Sequence, residues 1–269
     1  MLKDITIGQY YPSESVVHKL DPRLKIVLSF IYIVAIFFIK NFWGFLVLGG
    51  LTIALSYAAK VPMKFLLKGL KPLLILMTIT ALLNLFMTDG EILWKWGVLR
   101  VTKEGIVMSA FMLLRIVFLV LGTSFLTYTT TPITLTSGME SLLKPFSKIG
   151  VPAHEIAMMM SIALRFIPTL IEETDKIMAA QKARGAALSE GNILKRAKAL
   201  VPILIPLFVS AFRRADELAV AMESRCYHGG NDRTKLKELK YQKKDTIALI
   251  LFVGAIAVIL LCNLLGAAL

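Results

Sequence analysis

The sequence predicts an all-α membrane protein with about five transmembrane helices and two long amphipathic cytoplasmic helices. Of its 269 residues, 57% are hydrophobic and the mean hydropathy is +0.71, whereas soluble domains average about 45–50% apolar residues. The apolar residues are concentrated in segments close to the ~20 residues needed to cross a bilayer. The net charge of +13 falls in short runs beside these segments, which is typical of topology-setting loops. We therefore expect a lipid bilayer around the chain and no nucleic-acid partner.

Four spans are predicted in the first half of the chain. Asp21 and Pro22 suit the N-cap and first turn of the first span, which has only sixteen residues. The four predicted spans are Leu24–Ile39, Phe42–Ala59, Pro72–Thr88 and Gly105–Thr127. Four lysines and no acid occupy the loop after the second span, so this loop is expected in the cytoplasm. Residues 89–104 carry balanced charges and are expected outside.

The last span, Thr246–Leu265, follows a long polar region. The charge rule then predicts a multi-pass protein of the cell membrane, with its N-terminus inside, five spans and its C-terminus outside. We expect three regions: an N-terminal membrane region (residues 1–127), a cytoplasmic region (128–245) and a C-terminal transmembrane helix (246–269). Residues 135–149 at the start of the cytoplasmic region are predicted to form a short interfacial helix.

Two long amphipathic helices are predicted between Pro152 and Tyr227. Apolar residues recur every three to four positions from Ala153 and again from Asn192, which is the helical period. Each helix is expected to have about 30 residues and a length of roughly 45 Å. Prolines inside them are expected to kink or interrupt both helices; these are Pro168, Pro202 and Pro206.

Each of these helices ends in a small residue, an arginine and another small residue. The two endings are Ala183-Arg184-Gly185 and Ser224-Arg225-Cys226. An ordinary helix C-terminus explains either arginine alone, because glycine favours the left-handed conformation there and a terminal cation stabilises the helix dipole. It does not explain why DKIMAAQKARG and DELAVAMESRC align with an aspartate, an aliphatic residue, an alanine and the arginine in common. The repeat favours two equivalent docking points, where a buried guanidinium donates several hydrogen bonds to a partner.

The chain resembles the transmembrane component T of energy-coupling factor transporters over nearly its whole length. The resemblance is carried by these two endings, by the segment LDPRLK before the first span and by the stretch LRFIPTLIEETDKIMAAQKARGA. The resemblance implies that both motifs dock in grooves of two ABC-type ATPase subunits. It further implies that the two long helices are coupling helices, and that they hold a small substrate-binding membrane subunit (the S component) in an importer of vitamins or other micronutrients. The chain itself is then neither catalytic nor dependent on a cofactor. The second motif departs from Ala-Arg-Gly at both flanks, and Cys226 is bulkier than glycine.

Two alternatives remain open. A membrane-embedded enzyme acting on lipid or isoprenoid substrates would use the basic cytoplasmic region to bind phosphates, but it should carry clustered acids or histidines at the membrane face. A stand-alone carrier is disfavoured because no carboxylate lies inside a predicted span. The sequence has no GxxxxGK[ST] motif for ATP hydrolysis. Arg115 in the fourth span is interpreted as a structural residue in preference to an anion ligand.

Overall fold

The computed structural model describes residues 10–96, 99–186, 192–229 and 239–266. Within these ranges the chain forms nine α-helices and one antiparallel hairpin. The helices are α1 (Pro22–Phe37), α2 (Phe42–Ala59), α3 (Met63–Lys68), α4 (Leu74–Met87), α5 (Lys103–Thr129), α6 (Pro132–Leu143), α7 (Ala153–Ala183), α8 (Ile193–Glu223) and α9 (Lys243–Gly266). The hairpin pairs β1 (Ile92–Trp96) with β2 (Leu99–Thr102), and short 3₁₀ helices cover Lys71–Leu73 and Lys144–Ile149. The predicted all-α fold class is confirmed, whereas the hairpin was not predicted.

Five segments of the described chain are long and apolar enough to cross a membrane. They are Phe42–Ala59, Met63–Met87, Lys103–Thr129, Ala153–Ala183 and Lys243–Asn263. Four of them contain or closely match predicted spans, but the fifth is α7, which we predicted as an amphipathic helix outside the membrane. It is the least apolar of the five, and charged residues gather in its later half. Helix α1, predicted as the first span, is sixteen residues long and is shorter than these five.

The chain divides into two compact units. The membrane unit consists of the described residues within 8–139 and 238–269, and the two-helix unit consists of those within 140–237. In the membrane unit, α5 packs against α1, α2 and α4, while α9 packs against α1 and α2. The buried core between these helices is built from aromatic and aliphatic side chains, which include Tyr32, Ile36, Phe45, Leu48 and Ile259.

Gly122 on α5 lies directly against Tyr32 on α1. A Cβ atom at this position would lie 1.9 Å from Cε1 of Tyr32, so only glycine fits. The Tyr32 hydroxyl donates a hydrogen bond to the carbonyl of Phe118, one turn away on α5, at 2.8 Å. The tyrosine ring is therefore held against the backbone of α5.

The LDPRLK segment joins the first helix to the last. The Asp21 carboxylate caps α1 by accepting from the backbone N–H of Arg23 at 2.8 Å, as predicted. The buried Asp245 in the first turn of α9 accepts the backbone N–H groups of Asp21 and Gln242 at 2.8 and 2.7 Å. Lys25 donates to the carbonyl of Thr129 at the end of α5 at 2.8 Å. These bonds fix the starts of α1 and α9 to each other and α1 to the end of α5.

In the two-helix unit, α7 and α8 each have 31 residues, as predicted, and pack against each other. The prolines were expected to kink or interrupt the helices; both helices are continuous across them, so the interruption is wrong. Pro206 has no N–H to donate to the carbonyl of Pro202, one turn earlier. The side-chain amide of Gln181 on α7 donates to that carbonyl instead, at 3.3 Å. The neighbouring helix thus replaces the hydrogen bond that the proline removes.

Candidate functional site: two arginine-bearing helix ends

The first helix end is closed by a pair of backbone hydrogen bonds. The N–H of Ala186 donates to the carbonyl of Gln181, and the N–H of Gly185 donates to that of Lys182, both at 3.0 Å. This pair defines the Schellman motif, which requires a left-handed residue after the last helical position. Gly185 supplies it with φ +84°. Arg184 therefore occupies the cap position directly before the left-handed residue.

The second helix end has the same hydrogen bonds. The N–H of Tyr227 donates to the carbonyl of Met222 at 3.1 Å, and the N–H of Cys226 donates to that of Glu223 at 2.8 Å. Cys226 is left-handed with φ +56°, an unusual conformation for a residue with a Cβ. Arg225 thus occupies the same cap position as Arg184. The six residues of the two motifs have equivalent backbone roles in pairs: Ala183 with Ser224, Arg184 with Arg225, and Gly185 with Cys226.

The Schellman cap by itself is an ordinary device in this fold. The same pair of bonds closes α2, where Lys60 is the left-handed residue, and the 3₁₀ helix that precedes Gly150. The cap positions there hold Ala59, which is completely buried, and Ile149. An exposed arginine at the cap position distinguishes the ends of α7 and α8 from these two ends.

Both arginine-bearing ends are open to solvent. All six residues from Ala183 to Gly185 and from Ser224 to Cys226 are exposed. Neither guanidinium forms an ion pair or side-chain hydrogen bond with any residue that the structure describes. Each arginine therefore presents all its donors outward from a backbone that the cap holds in place.

A polar contact joins α7 and α8 at the same distance from each arginine-bearing end. The carboxylate of Glu173 accepts a hydrogen bond from the hydroxyl of Ser210 and forms an ion pair with Arg214 at 3.0 Å. Glu173 precedes Arg184 by about three helical turns, and Arg214 precedes Arg225 by the same distance. Sequence reasoning missed this contact because residues 173 and 210 are brought together only by the packing of the two helices.

A continuous apolar stripe lies on the face of α8 opposite this contact. Its side chains are spaced at three, four or seven residues and are 46–74% exposed; they are Leu194, Val201, Ile205, Phe208 and Phe212. On the other face of the same helix Ile203 is only 4% exposed. The apolar repeat predicted for this helix includes Leu194, Val201 and Phe208 but not Ile205 and Phe212. An exposed apolar face of this length requires lipid or a partner protein to cover it.

Comparison with known proteins places the chain among transporter subunits. The family model described as "Cobalt transport protein" matches residues 13–236. The energy-coupling factor transporter transmembrane protein EcfT of Clostridium kluyveri is 60% identical over 250 residues, which cover 92% of this chain and 93% of that protein. The protein of the same description from Bacillus subtilis is 49% identical over 93% of this chain and 95% of its own length. That from Heliobacterium modesticaldum is 48% identical over 97% of this chain and 98% of its own length.

Proposed function

Because the chain belongs to the family of energy-coupling factor transporter transmembrane proteins, we propose that it couples two partner ATPases to a substrate-binding membrane subunit. In this proposal Arg184 and Arg225 insert into matching grooves on two ABC-type ATPases. ATP-driven closure of the ATPases then moves the ends of α7 and α8 and reorients the bound subunit. The chain contributes no catalytic residue of its own.

The shared geometry of the two helix ends carries this proposal. Each end places an arginine at the cap position of a Schellman motif, exposed and without a partner in the described chain. Two helix ends of the same geometry suit two similar partners better than a single partner, because grooves of one shape can then accept both ends. An exposed ion pair would contribute little, so the docked guanidinium must be buried by the ATPase, where its planar fork donates several hydrogen bonds at once.

The apolar stripe on α8 supports the second half of the proposal. We assign it to the substrate-binding subunit, which is a membrane protein and therefore offers an apolar surface. The imported substrate is a vitamin or another micronutrient, since the resemblance implies this class and the matching family is described as a cobalt transport protein. The proposal also places residues 128–245 and the N-terminus in the cytoplasm, where the ATPases are. The basic loop containing Lys60, Lys64, Lys68 and Lys71 favours this orientation.

Charge reversal at the two arginines tests the docking role. The variants Arg184→Glu and Arg225→Glu, separately and together, are expressed with the neighbouring transporter genes and purified by a tag on this chain. Removing one partner from a buried charged pair costs about 2–5 kcal/mol, which weakens binding by at least about 30-fold. We expect each single variant to lose most of the copurified ATPase and the double variant to lose all of it, with unchanged membrane insertion.

Lys182→Glu is the matched control for this experiment. Lys182 is exposed and lies two residues before Arg184 on the same helix, so its reversal makes the same change in charge outside the cap position. If all three arginine variants retain ATPase and uptake like the control, the docking role is wrong. A wild-type chain that purifies alone from several mild detergents would instead favour the membrane-enzyme alternative.

A further inference from the structure

The membrane unit contains a pocket of about 540 Å³ beside the turn between α1 and α2. Its walls come from the turn after α1, the end of α4 and the first half of α5. Three cations line it: Lys40 on the turn, Lys103 at the start of α5, and Arg115 three turns further along α5. Glu104 is the single acid in this lining, and its carboxylate already accepts the backbone N–H of Glu91 at 2.8 Å. The pocket therefore carries an excess of positive charge.

Arg115 has no carboxylate partner among the residues that the structure describes. Its Nη2 donates to the carbonyl of Ile39 at 3.3 Å, and its guanidinium lies 5.7 Å from the centre of the Phe37 ring. Its Nε is buried and has no hydrogen-bond partner. A charged group in a membrane-spanning helix is expensive unless it is paired, and these neutral partners do not compensate its charge. Within the described residues, no acid neutralises the charge of Arg115.

Contacts along α1 and α5 indicate the level of this guanidinium in the bilayer. Lys25 contacts Thr129 at one end of the α1–α5 pair, and Arg115 contacts Ile39 at the other. Helix α5 rises roughly 21 Å between Arg115 and Thr129, while the hydrocarbon core is about 30 Å thick. Arginine side chains extend toward the interface from such depths. The pocket thus leads from the level of Arg115 toward the polar surface that carries Lys40.

The other walls of the pocket are apolar. Val107 and Met108 line it and are 42% and 44% exposed, on a helix that is long and apolar enough to span the membrane. Phe111 closes the wall beneath them. A pocket with cations at its head and exposed apolar side chains along its side matches an amphiphile with an anionic head group and acyl chains. Its volume is in the range of small-molecule binding sites.

We propose that this pocket is a binding site for the phosphate group of an anionic phospholipid, with Lys40, Lys103 and Arg115 as its ligands. The guanidinium donates to the phosphate oxygens through its terminal nitrogens, which can bind two oxygens at once. The two lysines act as point charges at the mouth of the pocket. The bound lipid supplies the counter-ion that Arg115 lacks. The site uses none of the residues at the two arginine-bearing helix ends.

Native mass spectrometry of the full-length purified chain tests this site. The chain is delipidated in detergent and titrated with phosphatidylglycerol, with phosphatidylcholine of the same acyl chains, and with inorganic phosphate. We compare the wild type with Arg115→Gln and with the double variant Lys40→Gln/Lys103→Gln, which changes only exposed side chains. The double variant Lys64→Gln/Lys71→Gln is the control, because it removes the same charge from exposed positions outside the pocket.

We expect one tightly retained phosphatidylglycerol per wild-type and control chain. Each pocket variant should bind it about tenfold more weakly or worse, because charge-assisted hydrogen bonds are lost. Phosphatidylcholine should bind more weakly, since its choline offsets the phosphate charge. Equal retention of phosphatidylglycerol by the wild type and the Lys40→Gln/Lys103→Gln variant overturns the proposal. If inorganic phosphate displaces the lipid completely at millimolar concentration, the site belongs to a free phosphate and the lipid assignment is wrong.

Discussion

Exchanging the residues at the two left-handed positions is expected to change the stability of the two helix ends in opposite directions. Gly185 and Cys226 have the same backbone role, with φ of +84° and +56°, but only cysteine has a Cβ. Gly185→Ala introduces a Cβ at the first end, and Cys226→Gly removes it from the second. Apart from its two chain neighbours, no described residue would have an atom within 4 Å of a Cβ at position 185. The expected result therefore follows from the backbone conformation.

The size of both effects follows from the cost of left-handed backbone. An L-residue pays roughly 1–2 kcal/mol in this conformation. Replacing glycine by alanine recovers roughly 0.4–1 kcal/mol, because the unfolded chain becomes less flexible, and the reverse replacement loses the same amount. Gly185→Ala should thus lower the free energy of unfolding by about 1 kcal/mol, and Cys226→Gly should raise it by a similar amount. For a chain of this size we expect shifts of about 2–4 °C in the melting temperature.

Thermal unfolding of the purified variants in detergent measures these shifts, and ATPase copurification measures their effect on docking. If the cap orients the arginine, Gly185→Ala should also weaken ATPase binding, whereas Cys226→Gly should preserve it. Cys226→Ala, which keeps the Cβ at the left-handed position, controls for the loss of the thiol. Shifts of the same sign in Gly185→Ala and Cys226→Gly would refute the reasoning.

Two further predictions concern the membrane unit, and thermal unfolding in detergent measures both. Gly122→Ala should destabilise the chain by about 1–3 kcal/mol, because its methyl group overlaps the ring of Tyr32. The control Gly50→Ala, in a helix with open space around this position, should stabilise the chain by up to ~1 kcal/mol. Equal effects of the two substitutions would disprove the close contact. Asp245→Ala should lower the free energy of unfolding by about 1–3 kcal/mol, because the buried N–H of Asp21 loses its acceptor. Asp245→Asn should lower it less, since the amide oxygen still accepts one hydrogen bond. An alanine variant with unchanged stability would contradict the joining of α1 to α9.

Much of the fold could be predicted because its signals are local. Apolar segments, the helical period of α7 and α8, and the Asp21 cap of α1 depend on residues within a few turns of one another. A kink or an interruption was predicted at the prolines of α8, and the interruption was wrong for the same reason. Local sequence shows that Pro206 removes a hydrogen bond, but it does not show that Gln181 on another helix replaces it. The hairpin at residues 92–102 was missed because its strands are only five and four residues long and lie among balanced charges.

The same distinction between local signals and contacts of distant residues applies to the candidate site. The sequence alone determined that two helices end in equivalent arginine motifs, since each motif and its cap lie within six consecutive residues. Only the tertiary structure decided that Cys226 adopts the backbone conformation of glycine, because its intrinsic preference opposes that conformation. Only the packing of helices decided that Glu173 meets Arg214 and that Arg115 joins two lysines in one pocket. These groups are far apart in the chain, and a sequence pattern carries no distance between residues that only packing brings together.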